Sequence, residues 1–231
     1  MDLTGFEKQV KPEATSLDEL LELHAGLSFE KQLIFGDVIG GRSWQFDMTT
    51  GMITFGNELS YPIQIIGSLS FGDSSWMWGW ANHQSGIPES LLKYSNELKN
   101  MGQAKGVNEL VDGHFNVNEG FEHVIGMIAC GVFQASSYYC ANYGQGTLVM
   151  TIDSDQIPLI DTNNFEKIMT NFPQLIGSIP LNHKAAFKNY LIDRDFELKI
   201  EEQKIIGAKN GKIVTGEFDE LSRLTGLNGE L

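Results

Sequence analysis

The hydrophobic pattern along the chain switches between helical and alternating spacing. Ser16 followed by Glu19 is a capping box, and Leu17, Leu20, Leu21 and Leu23 then form an apolar stripe. Gly26 predicts a break. Ser28 caps a second helical piece through Phe29, Gln32, Leu33 and Phe35, which Gly40-Gly41 stops. Alternation takes over next: Trp44 and Phe46, Met52 to Phe55, Tyr61 to Phe71, and Ser75 to Ala81, separated by turn residues. Four consecutive strands with short turns predict an antiparallel meander. Trp76, Trp78 and Trp80 fall at period two, so all three belong on one face of the fourth strand.

Pro88 sits well at the first turn of a helix carrying Leu91, Leu92, Ser95 and Leu98, and residues 103–117 read as irregular. The longest helix is expected from Asn118, with Phe121, Val124, Ile125, Ile128, Val132 and Tyr139 as its periodic face and Gly144 and Gly146 at its end. Gly126, Ala129, Gly131 and Ala135 let it pack closely on the sheet. Thr147 to Ile152 is a fifth strand. Past Asp153, Asn164 and Asn182 cap short helices, and Phe196, Leu198 and Ile200 alternate with charged residues. Asn210-Gly211 marks a hairpin turn, where both positions need positive φ. Asp219 caps a last helical turn with Leu221 and Leu224. The fold class is therefore α+β: an antiparallel sheet of about five strands, packed against a long apolar helix, with a C-terminal β-rich extension. Residues 1–152 form the α+β domain and 153–231 the extension, with or without a shared core. Residues 1–15 are polar and expected to be loosely held.

Composition narrows the function. The net charge is −14 and the pI about 4.7. A surface that acidic works against nucleic-acid binding and against docking to anionic membranes, since both need basic patches. Cys130 and Cys140 fall on the expected long helix, where ten residues span ~15 Å, against a ~7 Å limit between bridged Cα atoms. Free thiols fit a reducing compartment. The N-terminal residues lack the pattern of a secretory signal, and the apolar run Val124 to Phe133 is too short to span a membrane. A cytoplasmic location follows as the expectation.

Three groups of residues carry a resemblance. They are Ile63 to Phe71 with Gly67-Ser68, then Trp76-Met77-Trp78-Gly79-Trp80-Ala81-Asn82, then Pro88-Glu89-Ser90-Leu91. Over roughly residues 20–152 the chain resembles a bacterial family known only as a domain of unknown function, marked by a W-x-W-x-W-A-N strand and a following P-E helix. Here His83-Gln84-Ser85-Gly86 makes the link between Asn82 and that helix longer than the pattern. The resemblance implies an α+β fold and a bacterial origin, and brings no catalytic residues.

Two constellations are candidates for chemistry. Trp76, Trp78, Trp80 and Asn82 could line an aromatic groove for an apolar ligand or peptide; burial of the tryptophans beneath the long helix is the commoner outcome for such area. His114, Glu119 and His123 form a two-histidine, one-carboxylate set for a divalent metal, with Glu119 and His123 on one helix face. Their spacing matches no standard zinc motif. Cys130 has apolar neighbours that disfavour its thiolate, and no nucleophile elbow or phosphate loop occurs. No cofactor is implied. The leading expectation is a non-enzymatic binding or interaction module with a protein or small-molecule partner. The alternative is a small-molecule enzyme, metal-assisted or not, acting at the Trp-rich strand or at His114, Glu119 and His123.

Overall fold

A computed structural model describes residues 4–230. Strand β1 (Glu7–Lys8) leads into helix α1 (Leu17–Ile39). Ser16 caps α1 by accepting a hydrogen bond from Glu19 N at 3.2 Å, and Gly40 closes it with φ +56°. The expected break at Gly26 does not occur. Gly26 lies where α1 crosses the ring of Tyr190, and a Cβ there would come within 2.5 Å of Tyr190 Cβ. The residue is a contact glycine, not a terminator.

Strands β2 (Trp44–Asp47), β3 (Met52–Phe55), β4 (Leu59–Ser70) and β5 (Ser75–Trp78) form the expected antiparallel meander. The sheet is larger than five strands. Strand β6 (His114–Asn116) adds to β5 from the stretch read as irregular. Helix α2 (Lys93–Lys105) follows a 3₁₀ turn at Glu89–Leu91, so Pro88 precedes that turn and not the helix itself. Two further strands, β7 (Ser137–Asn142) and β8 (Gly146–Ile152), pair with each other, and β8 pairs with β4. The result has seven strands.

The long helix is the main correction. Helix α3 covers only Phe121–Val132, with Gly120 as N-cap in place of Asn118. Gln134 then turns the chain at φ +53° into β7. The run Ser-Tyr-Tyr-Cys is rich in residues that favour strands, and this overrides the helical spacing carried by Tyr139 alone. Cys130 and Cys140 are therefore on different elements, and both are free.

The C-terminal stretch holds α4 (Glu166–Ser178), α5 (His183–Asp193), β9 (Glu197–Ile200), β10 (Lys204–Lys209), β11 (Lys212–Phe218) and β12 (Leu224–Glu230). Phe165, not Asn164, precedes α4, whereas Asn182 caps α5 by accepting from Ala185 N at 3.0 Å. Asn210 and Gly211 both take positive φ at the β10–β11 turn, as expected. The last helical turn is instead β12, which completes a five-stranded sheet ordered β1-β9-β10-β11-β12. The N-terminal segment is tied down, contrary to expectation: β1 pairs with β9, and Lys11 bonds Leu23 O and Asp193. Residues 1–3 of that expectation lie outside the described residues.

Helix α1 is the hub, packing on α3, α4, α5 and β7. The main apolar cluster takes Leu20, Trp78 and Ile128 from before residue 153 and Phe187, Tyr190 and Phe218 from after it. A second cluster centres on Phe35, Phe55, Tyr61 and Met150. Close packing at Gly26 gives a sharp expectation. Gly26→Ala should gain up to about 1 kcal/mol of helix propensity but lose about 1–3 kcal/mol to overpacking. Tyr190 cannot withdraw freely, because its hydroxyl is bonded to Glu30. The net result is a lower melting temperature in calorimetry, where an ordinary helix-interior glycine would give a higher one.

Candidate functional site

The tryptophans do not make a groove. Trp76 and Trp78 alternate onto one face of β5 and both have 0% exposure, packed edge to face at 5.3 Å between ring centres. Trp78 Nε1 donates to Glu109 O at 2.9 Å. The strand stops there, and Gly79–Ala81 turn into a 3₁₀ helix held where Ser95 Oγ accepts from Trp80 N and donates to Ile66 O. Trp80 is half-buried, with Lys99 Nζ 4.0 Å over its ring. Asn82 Oδ1 accepts from Ser85 N at 3.2 Å and shapes its own loop.

His114 stands apart from Glu119 and His123. Its Nε2 lies 2.9 Å from Ser75 Oγ, which donates to Asp73 Oδ1 at 2.8 Å. The Ser75 proton thus goes to the carboxylate, and His114 supplies the other hydrogen bond. In a serine–histidine–aspartate triad the histidine sits in the middle; here the serine does, at 3% exposure, so it is not an activated nucleophile. Hydrogen bonds from the Ser70 and Ser75 side chains hold the Asp73 carboxyl below its ordinary pKa. Among the described residues, no three His, Cys, Asp or Glu side chains converge to hold a metal ion.

Glu119 and His123 both line a cleft of about 450 Å³. Phe29 and Gln32 of α1, Glu119, Gly120, His123 and Met127 in and just before the first half of α3, Tyr138 of β7 and Ser178-Ile179 at the end of α4 line it. The lining is polar and apolar in about equal parts, and convergent polar groups of this kind can orient a small ligand. His123 Nδ1 lies 3.4 Å from the Tyr138 hydroxyl and 3.7 Å from Cys140 Sγ. Burial pushes the pKa of both groups up, with the Glu122 carboxylate adding to the shift. Tyr138 and Cys140 therefore stay protonated, each able to donate or to accept at Nδ1, and the Cys140 thiol also donates to Glu122 O at 3.8 Å. Sequence reasoning missed Phe29, Gln32, Tyr138 and Cys140. The β-prone Ser-Tyr-Tyr-Cys run was the available signal, because once read as a strand it brings Tyr138 and Cys140 beside α3.

A second cavity, of about 420 Å³, collects Lys11, His24, Ser28, Lys31, Gln134 and Asp193. Its lysines are engaged: Lys11 pairs with Asp193, and Lys31 donates to Ala135 O. His24 lies under Gly131, and burial, aided by Lys11, lowers its pKa to about 4. An unfolded histidine titrates near 6.5, so between these values the unfolded chain binds more protons. Stability contributed by His24 is complete above pH 6.5 and is lost as pH falls toward 4, on the order of 2–3 kcal/mol in all. Asp193, raised by burial, acts in the opposite sense. Urea titrations at pH 7 and pH 4.5 should therefore diverge less for His24→Gln than for the parent chain.

The comparisons come to rest on this geometry. No curated protein and no solved structure matches the chain. No described helix is long and apolar enough to cross a membrane. One family model matches residues 18–155, which hold all of α1 but its first residue, the whole seven-stranded sheet and every cleft residue except Ser178 and Ile179. The chain belongs to that family, DUF6882, a family of unknown function.

Proposed function

We propose that the chain is a non-enzymatic binding module of the bacterial cytoplasm whose ligand is a small molecule seated in the cleft between α1, α3, β7 and α4. The observation that carries this is the lining itself: Phe29 and Ile179 offer apolar surface, and Gln32, Glu119 and His123 offer polar contacts on the same space. Such a mix fixes a ligand's orientation while burying most of its surface. Turnover is disfavoured by the state of the nearest nucleophile. Cys140 is held in its thiol form, the opposite of the lowered pKa that activates a cysteine. The acidic balance and the two free thiols support a cytoplasmic setting without nucleic-acid or membrane partners.

Native mass spectrometry of protein purified from its own host, set against the denatured mass, tests the reading. Ser178 is exposed at the rim, so Ser178→Trp blocks the cleft without touching the core. The expected result is a small added mass in the native protein that the variant lacks. The same added mass in both proteins would place the ligand elsewhere, and a parent chain with no added mass, unmoved in melting temperature by a fragment library, would count against the cleft.

A further inference from the structure

We infer that the second cavity, between α1, the α3–β7 turn and the end of α5, binds the carboxylate group of a small organic acid, with Lys31 as the counter-charge. This cavity of about 420 Å³ shares no lining residue with the cleft. What marks it is an ammonium group short of a counter-ion. Lys31 is half-buried, and among the described residues its Nζ donates to one acceptor, Ala135 O, at 2.6 Å. None of their carboxylates lies within ion-pair distance of it. The carboxylate that shares the cavity, Asp193, is already taken, since Lys11 Nζ lies 2.6 Å from each of its oxygens. Both lysines act on that carboxyl, so the three charges face one space and one positive charge is left over. A partly buried charge without a partner is costly. It is the more notable in a chain with 30 acidic residues against 16 basic ones.

A second observation comes from Gln134. It follows the end of α3 at φ +53°, with its N–H donating to Gly131 O at 3.2 Å. That place commonly goes to glycine or asparagine, because other side chains are strained there. Glutamine holds it here, and its side chain lines the cavity beside Lys31. Strain of this kind is kept where the side chain has a task. The amide supplies an uncharged donor to an anion seated on the lysine.

The charge balance selects the ligand. Lys31 has two N–H groups to spare and Gln134 an amide N–H, which together serve the two oxygens of a carboxylate. One surplus positive charge matches a monoanion. A phosphate carries close to two negative charges at neutral pH, and Asp193 would repel the second. Leu27 gives the cavity an apolar wall for a hydrocarbon body, and burial keeps His24 neutral, so it adds no charge. Binding makes hydrogen bonds and an ion pair, and no covalent bond changes.

The test is an NMR titration of the whole chain with acetate, propionate and benzoate, at an ionic strength held by chloride, with inorganic phosphate in parallel. At least one carboxylate should give saturable shifts centred on the amides of Lys31 and Gln134, and phosphate should bind more weakly. Lys31→Met should weaken that carboxylate about tenfold, whereas Lys167→Met, which removes an exposed lysine of α4, should leave it unchanged. Gln134→Gly separates binding from folding. It relieves the turn, so its melting temperature should equal or exceed the parent's, yet its affinity should fall about threefold. If Lys31→Met fails to fold, Gln134→Gly decides the matter. No saturable shift with any of the three carboxylates, shifts centred elsewhere, or phosphate binding as tightly would each overturn the assignment. So would equal losses in the two lysine variants, or unchanged affinity in Lys31→Met or Gln134→Gly.

Discussion

Arg194→Met is expected to lower the free energy of unfolding by about 3–5 kcal/mol, because it strands a buried carboxylate. Arg194 has 0% exposure and Glu30 3%. The guanidinium donates through Nη1 to Glu30 Oε2 and through Nη2 to the carbonyls of Asp161 and Asn164. Tyr190 completes the group by donating its hydroxyl to the same Glu30 oxygen at 2.6 Å. Without the arginine, Glu30 keeps only that phenol, and two backbone carbonyls lose their donor. Arg194→Lys should rescue little, since one ammonium cannot reproduce a planar fork that reaches three acceptors. Glu30→Leu combined with Arg194→Met should be more stable than Arg194→Met alone, as the buried charge is then gone. Urea unfolding of the parent chain, Glu30→Leu, Arg194→Met and the double variant reads the coupling. An Arg194→Met chain within 1 kcal/mol of the parent would mean that water reaches the pair.

The second large effect lies in the tryptophan pair. Trp78→Ala removes a fully buried indole and should cost about 3–5 kcal/mol. Replacement by phenylalanine separates ring from hydrogen bond. Trp78→Phe leaves the Glu109 carbonyl without its donor. Trp76 Nε1, by contrast, is buried with no hydrogen-bond partner, so Trp76→Phe loses volume but relieves an unsatisfied donor. Trp78→Phe should therefore be the more damaging of the two, by about 1–3 kcal/mol. The reverse order would show that the hydrogen bond to Glu109 contributes little beside the packing.

Local signals were legible where one element decides its own structure. The Ser16 cap, the β2–β5 meander and the Asn210-Gly211 turn all follow from a few adjacent residues, while the β9 alternation holds at Phe196 and Leu198 but not at Ile200, which is exposed. The errors arose where a distant residue decides. Gly26 reads as a helix breaker until Tyr190 is placed against it, and the run after Val132 reads as helix until β8 supplies a partner for Tyr138 to Asn142. The same limit applied to the site. Glu119 and His123 read as an i, i+4 pair on one helix, but Glu119 precedes the Gly120 cap and belongs to the turn before α3, and Cys140 comes beside His123 only through pairing that sequence spacing does not encode. His114 failed for a related reason, since strand β6 fixes it beside Ser75.

The closure of β1 onto β9 has a consequence in time. Lys8 meets Asp195 at 2.7 Å across 187 residues, and Glu30 meets Arg194 across 164. A chain made from its N-terminus exposes α1 long before either partner exists. Until residue 195 has emerged, Glu30 has no counter-ion, and the α1 face around Gly26 has no α5 to cover it. Contacts of such sequence separation are slow to form, since the intervening loop must close first. The final docking of this molecule is thus a late event in its synthesis, and the half-made chain is the form in which it most needs protection from aggregation.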